Sequence, residues 1–321
     1  MKDGHYIKLT AVYFFAGLVM IYASYILPKW LPGDFVTAMY SDSNVTLTVE
    51  QEAQIRACCT GKEGLSRYLI NLLSLKWGYS YALLTPVSDL ILEALPWTLL
   101  LFGGAHAASM LLGFIFGVEA AWRRGGWVEK ISVGCMTIIE GVPEICTGVV
   151  LLIIFALFLG WFPASGGETA YAVQSTVNRI LDVGHHLVLP LVTLVLAYFP
   201  GNFLLTRGSM VMVLKEQFVQ TARAKGLPPA RVRYAHAARN ALLPMFTRFG
   251  LRIAFMVTGV LVVETIYSYP GMGTLLFKAI GVRDLPLIQG IVLFSSLAVL
   301  FVNLAMEFLY GMIDPRVRYA H

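Results

Sequence analysis

The sequence predicts an all-α integral membrane protein of six transmembrane helices with both termini on the cytoplasmic side. Three observations predict it. The 321 residues have a mean hydropathy of +0.70, and only 13% are charged against 57% hydrophobic; a soluble domain carries about 25% charged residues. Apolar segments recur at lengths near the roughly 20 residues that a helix needs to cross a bilayer. Lys and Arg gather in alternate connecting segments, which is the positive-inside pattern. The net charge of +5 follows from that bias and gives no reason to invoke nucleic acid.

The first apolar run, residues 9–28, follows Lys2 and Lys8. It is longer than the core of a cleaved leader and lacks a small-residue cleavage site, so it reads as a signal anchor. Residues 29–93 are expected outside, as an ordered external loop. There Thr48-Val49-Glu50-Gln51 forms a capping box for a short helix to about Cys59. Residues 65–75 suit a helix lying on the membrane surface, and Trp77, Tyr79 and Tyr81 suit interfacial anchors. Further spans are predicted at 95–121, at 131–162 with an interruption at Pro143, at 187–206 with Pro190 and Pro200, at 245–268 and at 288–311. Ser165-Gly166-Gly167 reads as a turn after the third span. With a cytoplasmic N-terminus the inner segments hold Lys2, Lys8, Arg123, Arg124, Lys130, the basic cluster from Arg207 to Arg248, Arg316 and Arg318. The outer loops after the third and fifth spans hold only Arg179, Lys278 and Arg283. Residues 1–321 thus read as one transmembrane domain.

Few residues suggest chemistry. The four cysteines do not make a disulfide framework: Cys135 and Cys146 lie in an apolar run as packing residues, and the adjacent pair Cys58-Cys59 is poorly spaced for a relaxed disulfide or a metal site. Glu140 and Glu144 share a helical face if the helix survives Pro143. A charge at mid-membrane costs roughly 2.5–3.5 kcal/mol on insertion scales. The two acids are therefore either a contact for a cationic group of a passing solute or boundary carboxylates paired with Arg or Lys. Glu119, Glu264 and Glu307 fall near predicted helix ends and suit the headgroup zone, Arg252 suits snorkelling to the inner surface, His106 suits packing, and His185-His186 suit interfacial anchoring. No phosphate-binding loop, zinc-protease or nucleophile-elbow motif is present. Energy for work has to come from an ion gradient or from a partner, and the chain is not expected to be an enzyme.

The most informative segment is the basic insert at 207–244. Residues 216–225 form helix readily, with Phe218, Ala222 and Leu227 available to fill an apolar groove and with Thr221, Ala222 and Ala224 small enough for close approach. Gly226 suits a helix C-cap, and Pro228 and Pro229 suit the start of a second helix from Ala230 to Asn240. Two short helices with a fixed bend can transmit a stroke, where a floppy tether would absorb it.

Gln220-Thr221-Ala222, then Gly226 and Leu243-Pro244, resemble the EAA loop of bacterial ABC-importer permeases. The longer match, Thr221-Ala-Arg-Ala-Lys225-Gly226-Leu227 with Arg239-Asn-Ala-Leu-Leu-Pro244, is similar to the B-type permease of dipeptide, oligopeptide and nickel importers. Pro32-Gly33-Asp34, Trp77-Gly78-Tyr79, Leu95-Pro96, Gly160-Trp161-Phe162-Pro163, Glu264-Thr265-Ile266-Tyr267, Pro270-Gly271-Met272-Gly273 and Ile313-Asp314-Pro315-Arg316 continue the likeness over nearly the whole chain. The resemblance implies a six-helix type I importer permease in the bacterial inner membrane. It implies a second, C-type permease, two ATPase subunits that bind the ATP and Mg, and an external solute-binding protein as partners. It also implies that Phe218, Gln220, Thr221, Ala222, Ala224, Lys225, Gly226 and Leu227 contact the ATPase. Phe35, Glu140 and Glu144 depart from the pattern; the two acids are assigned to whatever distinguishes this cargo, a cationic peptide or a metal chelate. Two other readings stand beside it: an ion-gradient-driven secondary transporter with Glu140 and Glu144 as proton relay, which predicts inverted repeats, and a membrane scaffold.

Overall fold

The computed structural model describes residues 2–30, 64–74, 76–80, 82–169, 175–253 and 256–313. The predicted capping box at Thr48, the pair Cys58-Cys59, the 32–35 motif with Phe35, Tyr81 and the tail from Asp314 lie outside the described residues, as does the side chain of Glu307.

Helix dominates, as it must where lipid offers the backbone no hydrogen-bond partner. In chain order the elements are α1 (Lys2–Trp30), α2 (Leu65–Leu73), a two-stranded antiparallel hairpin of β1 (Tyr79–Ser80) and β2 (Thr85–Pro86), α3 (Val87–Trp122), α4 (Trp127–Glu140), and α5 (Glu144–Leu151), which runs into a π-helical stretch Leu152–Phe158. Then follow α6 (Thr176–Val213), α7 (Gln217–Ala224), and α8, in which Pro229–Arg231 and Arg239–Ala241 are α-helical around π-helical Val232–Ala238. The last are α9 (Leu243–Ile253), α10 (Met256–Ile266), α11 (Met272–Gly281) and α12 (Leu285–Ile313).

Among the described residues three helices are long and apolar enough to cross a membrane: Val87–Trp122, Thr176–Val213 and Leu285–Met306. α4 and α5 with its π-helical extension pass the same test together, but they are bent by 93° at their junction. The cause is local. Gly141 and Val142 end one helix, and Pro143, with φ −59° and ψ 141°, is extended and caps the next; the residue before a proline is itself pushed out of the α region. The condition under which Glu140 and Glu144 would share a helical face is therefore not met. The first apolar segment lies within α1, whose stretch Thr10–Ile26 is apolar. The segment predicted at 245–268 contains α9 and α10, which flank residues 254–255.

Contacts divide the chain into residues 1–96 with 271–321, and residues 97–270. In the first unit α1 packs on α12, and Tyr68 of α2 meets Tyr25 at a ring separation of 5.3 Å. The hairpin is tied to the start of α12 by Asp284, which is fully buried. It accepts from the Ser80 hydroxyl at 2.6 Å, from the Ala82 N–H at 3.2 Å and, as N-cap, from the Leu287 N–H at 3.3 Å.

The second unit has two apolar cores. One gathers Leu101, Phe102 and Ala105 of α3 with Leu189, Leu194 and Tyr198 of α6, Val260 and Val263 of α10, and Tyr267 and Tyr269. The other lies under α7 and α8 and is described with the site. Between them α3 and α6 cross closely. Gly113 and Gly117 stand one turn apart, and a Cβ at either would come within 2.6 Å of Asn202 or 2.8 Å of Thr206. This is the small-xxx-small device by which membrane helices approach without a side chain between them. Asn202 Nδ2 donates to Ser109 Oγ at 3.1 Å across the same crossing. Glu264, expected in a headgroup zone, is instead fully buried and accepts from Thr98 Oγ1 at 2.7 Å. Cys135 and Cys146, expected to pack, are exposed on this chain's surface.

Candidate coupling elbow and internal cavity

Two places in the second unit gather candidate functional side chains. The first is the basic insert. α7 ends in a Schellman motif: the Gly226 N–H donates to Arg223 O at 2.9 Å and the Leu227 N–H to Ala222 O at 3.4 Å. That closure puts Gly226 at φ +72°, a left-handed conformation that costs other L-residues roughly 1–2 kcal/mol. Pro228 then leads into α8 with Pro229 at its first helical position. The bend expected from the sequence is present, with both its glycine and its prolines in the predicted roles.

The elbow is seated on its own chain. Val219 and Ala222 of α7 and Val232, Ala237, Ala238 and Ala241 of α8 close over Val118 and Ala121 of α3 and Met210 of α6 as one buried cluster, and Leu227 packs against it. Ala222, expected to fill a groove elsewhere, thus points into this cluster and is unavailable to a partner's side chains. The side facing away carries Phe218 (44% exposed), with Gln220, Thr221, Ala224, Lys225 and Gly226 also exposed. Two of these have local bonds: Gln220 Nε2 donates to Leu214 O at 3.3 Å and Thr221 Oγ1 to Gln217 O at 2.9 Å.

A polar clamp reinforces the seat. Glu119, near the end of α3, accepts from Arg233 Nη1 at 2.8 Å and from the Tyr234 hydroxyl at 2.7 Å. The second bond holds the Tyr234 phenol above its usual pKa. Trp122 lies under the guanidinium groups of both Arg223, at 5.2 Å, and Arg233, at 5.4 Å, so one aromatic face joins α7 to α8 through two cation–π contacts. At the other end of the insert Arg207 Nε donates to Glu129 at 2.9 Å, and Glu129 also accepts from the Gly125 N–H at 2.6 Å.

The second place is a cavity of about 250 Å³ lined by Phe102 and His106 of α3, Glu144 of α5, Tyr198 of α6, Arg252 of α9 and Gly259 of α10. Arg252, expected to snorkel to the inner surface, faces this space with its guanidinium 4.6 Å from the Tyr198 ring centroid. His106 packs as expected, 4.1 Å from Phe102 and 4.5 Å from Tyr198 by ring centroids, but neither ring nitrogen has a hydrogen-bond partner. Glu140 goes elsewhere. It approaches Gly201, where a Cβ would lie 2.8 Å from its Oε1 and would strike the guanidinium of Arg248. Arg248 Nη1 donates to Gly201 O at 2.7 Å. The break at Pro143 has therefore given the two acids different neighbours.

The profile of binding-protein-dependent transport system inner membrane components matches residues 109–319. The chain belongs to that family. The matched region takes in the elbow and most of the cavity wall, whereas Phe102 and His106 lie just before it. Among curated members of this transport-component family, the oligopeptide transport system permease protein AppB of Bacillus subtilis is 34% identical over 305 residues, covering 92% of this chain and 93% of its own length. The di/tripeptide transport system permease protein DppB of Pseudomonas aeruginosa is 33% identical, covering 95% of each chain. The glutathione transport system permease protein GsiC of Salmonella paratyphi A is 33% identical over 84% of this chain and 86% of its own. The sequence reading put Glu119 in the headgroup zone, where it instead clamps Arg233 and Tyr234, and it missed Trp122 and the Gly113/Gly117 crossing. The last had a readable signal, the spacing Gly-x-x-x-Gly in an apolar run.

Proposed function

We propose that this inner-membrane permease component serves a peptide ABC importer, forming one half of a translocation path and taking its drive from ATPase subunits seated on the 207–244 elbow. Six membrane crossings, a cytoplasmic elbow and both termini on the cytoplasmic side of a bacterial inner membrane belong to this reading. So do a second permease of the C type, an external solute-binding protein, and ATP and Mg held by the ATPase partners. Peptide as cargo rests on the likeness to AppB, an oligopeptide permease, and DppB, a di/tripeptide permease.

The observation that carries the proposal is the elbow's two-sidedness. Its inner side is bonded to the ends of α3 and α6 by an apolar cluster and the Glu119 clamp, so a push on it moves those helices as a body. Its outer side leaves Phe218 and small residues uncovered. A partner that alternates between two shapes can then bias two packings of the membrane helices, which is a population shift driven by differential binding. The ion-gradient reading is less favoured, because Glu140 and Glu144 no longer line one face.

Two substitutions test it. Gly226→Asp and Phe218→Glu both alter exposed positions, and a short polar residue tolerates the left-handed region better than most. Each is expected to leave the protein in the membrane at near wild-type level while ATP-dependent peptide uptake falls by an order of magnitude or more. Normal uptake by both variants, with normal membrane levels, would refute the coupling role.

A further inference from the structure

The cavity in the second unit contains an unspent set of groups. Glu144 and Arg252 line the same space with opposite charges, yet among the described residues neither takes part in an ion pair. His106 is 2% exposed, and both its ring nitrogens lack partners while it borders that space. Buried polar atoms in folded proteins are nearly always bonded, and leaving one unpaired is destabilising. The surroundings supply at most one partner, the Phe102 carbonyl, which lies near the ring without a bond of good geometry; the rest of the wall is Tyr198 and the backbone at Gly259, and the Tyr198 hydroxyl is already donated to Gly259 O at 3.1 Å. The ring of Tyr198 holds one face of the Arg252 guanidinium, which leaves the edge N–H groups, the ones that meet a carboxylate in a two-pronged bond, for something else.

We propose that this cavity is a passage subsite for a short zwitterionic peptide, with its carboxylate on Arg252, its ammonium at Glu144 and His106 bonding the amide between them. The proposal rests on the peptide-permease reading above and deepens it. Charge balance favours a zwitterion over a simple anion or cation, since either of those would leave Glu144 or Arg252 uncompensated in an apolar surround. Size agrees. At about 30 Å³ per water the space equals roughly eight waters, which suits a dipeptide or the end of a longer chain and not a bulky solute. Neutral imidazole offers one donor and one acceptor, which matches the C=O and N–H of a peptide bond.

The test uses the complete transporter in membrane vesicles with its binding protein. Uptake is measured for a free dipeptide, its C-terminal amide and its N-acetyl derivative. Arg252→Gln is expected to lower uptake of the free and N-acetyl peptides about tenfold, while changing uptake of the amide less than twofold. Glu144→Gln is expected to spare the N-acetyl peptide in the same way, and Arg252→Lys to restore part of the loss. Equal losses for all three peptides, or no loss for any, would overturn the subsite. If the binding protein refuses the blocked peptides, a dipeptide with a photoreactive side chain is followed during turnover: crosslinks to the stretches around Phe102 and Tyr198 support the subsite, and crosslinks confined to other segments exclude it. Absence of ATP-dependent uptake of any peptide by the wild type would instead defeat the broader peptide-import reading.

Discussion

Glu119 shows how much of the elbow depends on one side chain. Its two oxygens take bonds from Arg233 and Tyr234, both charge-assisted by the carboxylate and the first also by the guanidinium. Glu119→Gln keeps the size of the group but removes the charge. The expected cost is about 1–2 kcal/mol, since charged hydrogen bonds contribute more than neutral ones while partial exposure discounts them. Trypsin should then cut the 223–239 region of the variant several-fold faster, with uptake falling in parallel. Unchanged cleavage would mean that the apolar cluster alone holds α8. At this scale the sequence was only half readable. It gives each residue's hydropathy and nearest neighbours along the helix, so Phe218, Gly226 and the two prolines could be placed from local rules. It does not give partners far away in the chain. Glu264 bonds Thr98, 166 positions earlier, and Arg252 turns to a ring on α6; both were therefore assigned to membrane boundaries.

Among the elements, the α3–α6 crossing links the cavity to the elbow: His106 and Phe102 lie toward one end of it, Val118 and Ala121 toward the other. Gly113 and Gly117 make the approach possible. Gly117→Val introduces a branched side chain where even a Cβ lies 2.8 Å from Thr206. Overpacking of this kind costs typically 1–3 kcal/mol, so the purified protein should lose several degrees in thermal stability, and rigid transmission from elbow to cavity should suffer with it. Melting and uptake equal to wild type would show that the helices are not held in this register. The helical segments themselves, and the interruption at Pro143, were legible from apolar runs and the restrictions that proline imposes. The 93° turn was not, because how far two helices diverge at a break is decided by what each then packs against.

For the whole molecule, the charge pattern argues for one orientation. Arg223, Lys225, Arg231, Arg233 and Arg239 lie in one connecting segment, which the positive-inside bias holds in the cytoplasm, whereas the loops after the third and fifth expected spans hold only Arg179, Lys278 and Arg283. Whether α9 and α10 together complete one crossing is the point on which an even number of spans turns. On a background with the native cysteines replaced, Lys225→Cys and Lys278→Cys place single thiols at two exposed positions on either side of that pair. A membrane-impermeant maleimide added to intact cells with a permeabilised outer envelope should label position 278 and leave 225 untouched, and inverted vesicles should give the reverse. Labelling of both from the same face would mean that α9 and α10 return to the side they leave, which makes the number of spans odd and puts the two termini on opposite sides. Labelling on opposite faces but with 225 outside would place the basic insert against the charge bias, and no ATPase of the cytoplasm could then reach Phe218.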